Sequence, residues 1–424
     1  MAHLGNRALA GHANATGSGH EALHLSADSG CFMLFAANVQ EAVDFTLIAR
    51  RVAEQTLVPG LVVMDGPQTA LAMQDVALPG HELVERYLGD PDDSIETPTP
   101  AQKLLFGDQR RRLPRWYDPD RPVLLGGVQT GASWGLGKAA DGPFFAQQLN
   151  AALGRAFKEF AQLTGREHRR VSTHRLDDAD LVLVAQGAAV ETAEAVCEQL
   201  RSAHKLKIAV LGLRALRPFP GARIAELLRQ KQRVCVLERM DSPMAGATPL
   251  MRELQAALGR ALENGRAGAT AHADYPAMSA DESPRTLSVI YGLGGLPLRG
   301  ADLIALCTGI DAIKRTQLYL GLSFSPGASR YPKRQVLLDR LRRDYPDIAN
   351  AGLTGAAQTP DLRPADALTL AVHRVSGLPG DGLSVEIGGL LQAVTEGQLR
   401  SHPAQVAGPW GGHCIDRLTC APGD

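Results

Sequence analysis

The stretch "CFMLFAANVQEAVDFTLIARRVAEQ" (residues 31–55) decides the fold. Its apolar run ends near Ala37, Asn38 follows as a good helix N-cap, and Glu41 stands three residues later, the spacing of a capping box. Val39, Ala42, Val43, Leu47 and Ile48 then recur at helical spacing. "PGLVVMDG" (59–66) adds a short buried strand closed by Asp-Gly. Strand, helix and strand in succession make a βαβ unit, which pairs its strands in parallel and sets the class as α/β.

Outward from this unit the chain changes character twice. Upstream, "RALAGHANATGSGHEALHLSADSG" (7–30) gathers Arg7, His12, His20 and His24 among glycines and has the look of an active-site loop rather than a frayed terminus. Downstream, prolines 79, 91, 98, 100, 114, 119, 122 and 143 punctuate residues 67–145, where only 99–109 carries a short helical pattern. The expectation there is an extended arm that lies against both flanking domains or reaches a partner.

From about residue 146 regular patterns return. Residues 147–164 are helical, "ADLVLVAQG" (179–187) is a buried strand, and helices and strands then alternate through "KIAVLGLRALRPFP", "GARIAELLRQ", "RVCVLER", "TPLMRELQAALGRALE", "RTLSVIYGLGG" and "RGADLIALCTGI". This is a doubly wound α/β domain. "YPKRQVLLDRLRRDYPDI" is expected as one amphipathic helix, and a Gly/Pro-rich linker covers 350–366. A strand at 368–374, the turn "SGLPGDGLS" and a helix at 384–394 open a third βα unit too short to close a sheet, so both ends of the chain are expected to fall within domains.

Bulk properties exclude several classes. The 424 residues suffice for about three domains, and 44 basic against 45 acidic side chains leave no broad basic footprint for nucleic acid. The cluster Arg110, Arg111, Arg112 and Arg115 is expected to be a solvated face. Cys31, Cys197, Cys235, Cys307, Cys414 and Cys420 form no CxxC pair, so no zinc or iron–sulfur ligand set is visible, and the pattern fits a reducing cytoplasm. No apolar stretch reaches membrane-spanning length and no signal peptide opens the chain.

The candidate motifs are individually modest. "AQGAAVET" (185–192) offers a glycine turn that can cradle an anion at a helix N-terminus, though it lacks GxGxxG and GxxxxGKS, and a plain tight turn is the favoured reading. "YGLGGLPL" lacks a third glycine and carries Pro297, against a dinucleotide fingerprint. His20 and His24 stand at i,i+4 without HExxH, so loop histidines bonded to backbone or substrate are favoured over metal ligands.

Taken together, residues 7–66 resemble the back half of the first domain of the pyruvate:ferredoxin (flavodoxin) oxidoreductases. The matching pieces are Arg7 to His12, Gly19–His20, Gly30 to Leu34, Val39 to Ala42 and Asp65–Gly66. In the second domain "AQGAAVETAEAV", "VLGLRALRPFP", "VLERMDSPMAGATPLMRE" and "YGLGG" resemble that family's segments in order. The resemblance implies residues 1–66 as the back half of a thiamine-diphosphate pyrimidine-type domain and 67–145 as a Pro-rich arm. It implies 146–325 as a transketolase-C-terminal-like domain, 326–366 as helix and linker, and 367–424 as the start of a third, incomplete α/β unit.

It further implies part of a 2-oxoacid:ferredoxin or flavodoxin oxidoreductase. Such an enzyme decarboxylates pyruvate or a related 2-oxoacid with coenzyme A and passes electrons through iron–sulfur clusters. Thiamine diphosphate with magnesium would be held mainly by segments not on this chain, and the clusters by other domains or subunits, in a cytoplasmic dimer of multidomain units. Arg7, His12 and His20 are the implied substrate-binding residues, Arg7 at the substrate carboxylate, where a guanidinium fork binds two oxygens at once. The segment "MDGPQTALAMQ" lacks the arginine and His-Glu that follow Phe-Asp-Gly in the family. A non-catalytic scaffold subunit is therefore the rival reading, and a nucleotide-binding dehydrogenase a third.

Overall fold

A computed structural model describes residues 1–9, 15, 17–71, 74, 76–115, 128–267, 271–324, 327–358, 360–362, 367–375, 383–395, 399–407 and 413–422. The chain runs β1 (Ala2–Asn6), α1 (Glu21–Leu25), β2 (Phe32–Ala36), α2 (Val39–Thr56) and β3 (Gly60–Asp65), with one π-type turn over Gly66–Ala70. It continues through α3 (His81–Leu88), β4 (Ser94–Glu96), α4 (Pro100–Phe106), β5 (Gln109–Arg111), α5 (Gly131–Phe144) and α6 (Leu149–Thr164). There follow β6 (Val171–His174), β7 (Leu181–Gln186), α7 (Ala189–His204), β8 (Ile208–Leu213), β9 (Ala215–Arg217), α8 (Gly221–Leu228), β10 (Arg233–Glu238) and α9 (Pro249–Ala267). Next come β11 (Arg285–Tyr291), α10 (Gly300–Thr308), β12 (Gln317–Leu320), α11 (Pro332–Asp344), α12 (Pro346–Ala349) and β13 (Gly352–Leu353). The last elements are β14 (Leu368–Val375), α13 (Leu383–Val394), β15 (Leu399–Ala407) and β16 (His413–Pro422).

The βαβ unit forms as its sequence dictates. Asn38 Oδ1 accepts the Glu41 N–H at 2.8 Å, while Glu41 Oε2 reaches back to the N–H of Ala37 at 2.7 Å, one residue before the position a strict capping box uses. β1, β3 and β2 pair in parallel, and β9 adds antiparallel to β2, giving the order β1-β3-β2-β9. The second sheet has the order β13-β12-β11-β10-β7-β8-β6, parallel apart from β6. β8 and β9 are consecutive, so a single extended run leaves the second sheet and enters the first with only Arg214 between them.

That crossing joins the two sheets into one packed body. Met33, Phe35 and Val63 from the first sheet share a buried cluster with Val182, Val184 and Leu211 from the second. On the opposite face of the first sheet, Phe45 and Ile48 of α2 meet Leu153 and Phe160 of α6. On the opposite face of the second, Val196 and Leu200 of α7 meet Leu303 and Leu306 of α10. Cys197, Cys235 and Cys307 are buried and free there, behaving as small hydrophobes, and burial pushes the Cys235 thiol up to about 12.

Several expectations change in the folded chain. The 67–145 stretch holds helices and a β4–β5 hairpin, and α3 is packed down by Tyr87, whose hydroxyl donates to Ala156 O at 2.9 Å. Arg110 is not part of a solvated face: it is 4% exposed and donates to the carbonyls of Glu54 and Gln55 at the end of α2. Carbonyls at a helix C-terminus lack intrahelical partners, and a guanidinium satisfies two of them. The helix expected over 331–348 breaks at Tyr345, because Pro346 offers no N–H and disfavours helical backbone before it. The 350–366 linker returns as β13 to the edge of the second sheet. The closing unit, expected as an incomplete third α/β unit too short to close a sheet, forms a three-stranded antiparallel sheet in the order β14-β16-β15. Among the described residues no helix is long and apolar enough to cross a membrane.

Candidate functional site at the crest of the two sheets

Polar side chains end the apolar strands, and the fold brings those ends together. Asn6 closes β1, Asp65 closes β3, Gln186 closes β7, Glu238 closes β10 and Tyr291 closes β11. All five, with Arg239, are essentially without exposure. Carboxyl ends of parallel strands are the usual ligand-binding side of open α/β sheets.

His20 stands at the centre of this crest, 0% exposed. Its N–H donates to Arg239 O at 3.1 Å, and the Arg239 N–H donates back to His20 Nδ1 at 3.2 Å. Gln186 Nε2 also approaches Nδ1, at 3.0 Å. Because a backbone N–H points at Nδ1, that nitrogen is the acceptor, and the ring carries its proton on Nε2, 3.3 Å from Asp65 Oδ1. Phe35 and Tyr291 meet the imidazole edge-on.

Asp65 answers the question raised by the glycine turn at 185–192. Its Oδ2 accepts the N–H of Ala188 at 2.9 Å, so the anion at the start of α7 is the protein's own carboxylate. Gly187 sits at φ +61°, and a side chain there would collide with Asp65 and Phe35. Burial opposes ionisation of Asp65, yet His20, Arg239 and the Ala188 N–H outweigh it and hold the carboxyl below its ordinary value. Burial pushes Glu238 up, although the N–H groups of Leu250 and Met251 donate to it. Burial also drives His24 down to about 3, so it is neutral beside Gln186 and Glu238.

The loop that precedes His20 is seated on the second sheet. Ala8 N–H donates to Gly17 O at 3.0 Å, Ser18 Oγ donates to Gln68 Oε1 at 2.5 Å, and the backbone of Gly17 lies directly on that of Gly295. Arg7 emerges from this anchor exposed, its stem beside Gly66, with no ion-pair partner among the described residues. Of the sequence-derived site residues, Arg7 thus lies at the surface of the crest, His20 lies inside it, and His12 lies outside the described residues. Asp65, Gln186, Arg239 and Tyr291 are site residues that the sequence motifs do not single out. Their signal is a polar residue closing an apolar strand, followed at once by glycine at Asp65–Gly66, Gln186–Gly187 and Tyr291–Gly292.

The crest is rich in unsatisfied polarity. Both side-chain atoms of Asn6, with Thr69 Oγ1, Gln186 Oε1, Arg239 Nε and the Tyr291 hydroxyl, are buried without a hydrogen-bond partner. Such groups call for a polar guest or for bound water. Among the described residues no three His, Cys, Asp or Glu side chains converge on a metal position. The ionisable groups of the crest outside its histidines, Asp65, Glu238 and Arg239, offer one cation to two carboxyls and do not match a diphosphate with its magnesium.

Two joined, mostly parallel sheets with helices on their faces define an α/β protein of the doubly wound type. Comparison with known proteins narrows the class. Residues 1–134 match the family described as "Pyruvate flavodoxin/ferredoxin oxidoreductase, thiamine diP-bdg", and residues 179–266 match "Pyruvate:ferredoxin oxidoreductase core domain II". The chain belongs to the 2-oxoacid:ferredoxin oxidoreductase family.

It is 27% identical over 313 residues to a probable pyruvate-flavodoxin oxidoreductase of Escherichia coli, covering 74% of this chain and 24% of that one. It is 30% identical over 302 residues to the pyruvate synthase subunit PorA of Thermotoga maritima, covering 69% of this chain and 65% of that one. A solved 2-oxoglutarate:ferredoxin oxidoreductase from Magnetococcus marinus aligns over 73% of this chain and 48% of its own, at 13% identity and a TM-score of 0.40. The chain spans about a quarter of the length of the pyruvate-flavodoxin oxidoreductases it matches.

Proposed function

We propose that this chain is the part of a thiamine-dependent 2-oxoacid:ferredoxin or flavodoxin oxidoreductase that presents the substrate-carboxylate loop. The observation that carries the reading is Arg7, an exposed guanidinium without an ion-pair partner among the described residues, on a segment anchored at Ala8–Gly17 and at His20. A free fork on a rigid mount recognises a carboxylate bidentately. The crest fixes the mount: His20 ties the loop to β10 through Arg239, and Asp65 ties β3 to α7. In this reading His20 acts on substrate through the position it gives the loop, and His12, outside the described residues, is carried as a substrate contact on the family resemblance alone.

The donor set of the crest does not fit the diphosphate–magnesium end of thiamine diphosphate. That cofactor and the iron–sulfur clusters are assigned to other segments or subunits. The reaction proposed for the assembled complex is the coenzyme A-dependent oxidation of a 2-oxoacid, with two electrons passed to ferredoxin or flavodoxin, in the cytoplasm. A non-catalytic scaffold remains the second reading, favoured by "MDGPQTALAMQ", where the residues after Asp65–Gly66 depart from the family.

Reconstitution separates the two. The chain co-expressed with genomically adjoining thiamine-binding and cluster-bearing subunits should reduce ferredoxin on addition of a 2-oxoacid and coenzyme A. The chain alone, given thiamine diphosphate and magnesium, should not. A stable reconstituted complex inert toward every 2-oxoacid tested refutes the enzymatic reading.

A further inference from the structure

We propose that the groove between α6, the 167–171 segment and the start of α8 is a binding site for an organic phosphate of mononucleotide size. The groove encloses about 550 Å³ and is lined by none of the crest residues, so it does not depend on the function proposed above. Its volume falls in the range of ordinary small-molecule sites. The floor is apolar, with Phe157, Val171 and Leu227, and the rim carries Lys158, Arg169, Arg170 and Arg223 against the single carboxylate of Glu167.

Arg170 is the decisive residue. It is half-buried, its Nη2 donates to Pro218 O at 2.9 Å, and its Nε is buried with no partner. Burial pushes its pKa down, and no carboxylate counters that effect. Cations withdrawn from water are ordinarily paired, because desolvation without a counter-charge is costly. A half-desolvated cation that lines an open groove, with no carboxylate partner among the described residues, is a vacancy for an anion.

The remaining cations suit the same occupant. Lys158 has no ion-pair partner among the described residues. Arg169 and Arg223 pair with Glu167 and Glu226, but both pairs lie in solvent, where such pairs contribute little and exchange readily. The cation excess favours a phosphate dianion over a single carboxylate, and the apolar floor favours a ring attached to it. Phe157 belongs to the core of α2 and α6 whereas Val171 and Leu227 pack on the core shared by both sheets, so an occupant would bridge the two.

The test is titration calorimetry of the full chain with AMP, adenosine and inorganic phosphate in parallel. AMP should bind saturably, at least about tenfold more tightly than adenosine or phosphate alone, and more weakly as salt rises. Arg170→Met should abolish AMP's advantage over adenosine while leaving the melting temperature of the free chain unchanged or higher, because an uncompensated cation has been removed. Should that variant fail to fold, Lys158→Glu, altered only at an exposed position, should weaken AMP at least about tenfold, roughly the size of one charge-assisted contact. Absence of saturable AMP binding, equal affinity for AMP and adenosine, or unchanged AMP affinity in the folded variants overturns the proposal.

Discussion

Gly295 shows how far from a site its geometry can be set. It sits at φ +89°, and a β-carbon on it would stand 2.5 Å from Gly17 Cα, whereas its neighbour Gly294, at φ +68°, faces open space. Alanine at either position bears the strain of left-handed backbone, but only Gly295→Ala also drives the Arg7 loop off its seat. Gly295→Ala should therefore raise hydrogen exchange at the amides of residues 7–20 about tenfold or more over Gly294→Ala. Equal exchange in the two variants would show that the second sheet does not hold the loop.

A second residue-scale test reads charge. His24 is held near 3 in the folded chain against an unfolded value of about 6.5. Between these limits the unfolded chain binds the extra proton, so stability rises with pH across this window and is lost as pH falls through it. Glu238, raised by burial, acts in the opposite sense above its ordinary value, so the comparison must be between variants. Going from pH 7 to pH 5, the wild type should lose about 1–2 kcal/mol more stability than His24→Gln in urea titrations. Parallel acid limbs for the two proteins would remove His24 from the account.

At the scale of elements, Asn38 joins a local rule to a distant contact. It caps α2, and its Nδ2 also donates to Glu191 Oε1 on α7 at 2.7 Å. Asn38→Ala should cost about 1–2 kcal/mol, and Asn38→Ser should restore most of the cap while leaving the link to α7 broken. Identical losses in thermal melts of the two variants would contradict the capping role.

This element was legible because its signal is local: cap, glutamate and helical period all lie within residues 38–48. β7, β8, β10 and β11 were legible for the same reason, as short apolar runs. β1, β6 and β12 were not, since "AHLGN", "VSTH" and "QLYL" carry no run of their own and become strands by pairing with β3, β8 and β11. The burial of Arg110 is not legible in the sequence, because it depends on the end of α2, more than fifty residues away.

At the scale of the molecule, the junction of the two sheets was the least legible feature. The crossing at Arg214 looks like any strand leading to a loop. Its meaning appears only when Phe35 N–H donates to Arg214 O at 2.7 Å and Arg214 Nε pairs with Glu41 at 2.8 Å. The shared core makes a prediction that separate domains would not. Phe35, 1% exposed, lies in the cluster common to both sheets, so Phe35→Ala should cost about 3–5 kcal/mol and lower protection in β10 as well as in β2. Loss confined to β2 would mean that the sheets unfold independently.

In the proposed function this joined body presents Arg7 to a 2-oxoacid. The most direct measurement is kcat/KM for the 2-oxoacid in a reconstituted complex carrying Arg7→Lys, taken together with its thermal unfolding. Lysine keeps the charge but loses the planar fork, so kcat/KM should fall about ten- to a hundredfold, the size of one charge-assisted bond, while the melting temperature stays put. A stably folded Arg7→Lys complex with the kcat/KM of the wild type contradicts the account.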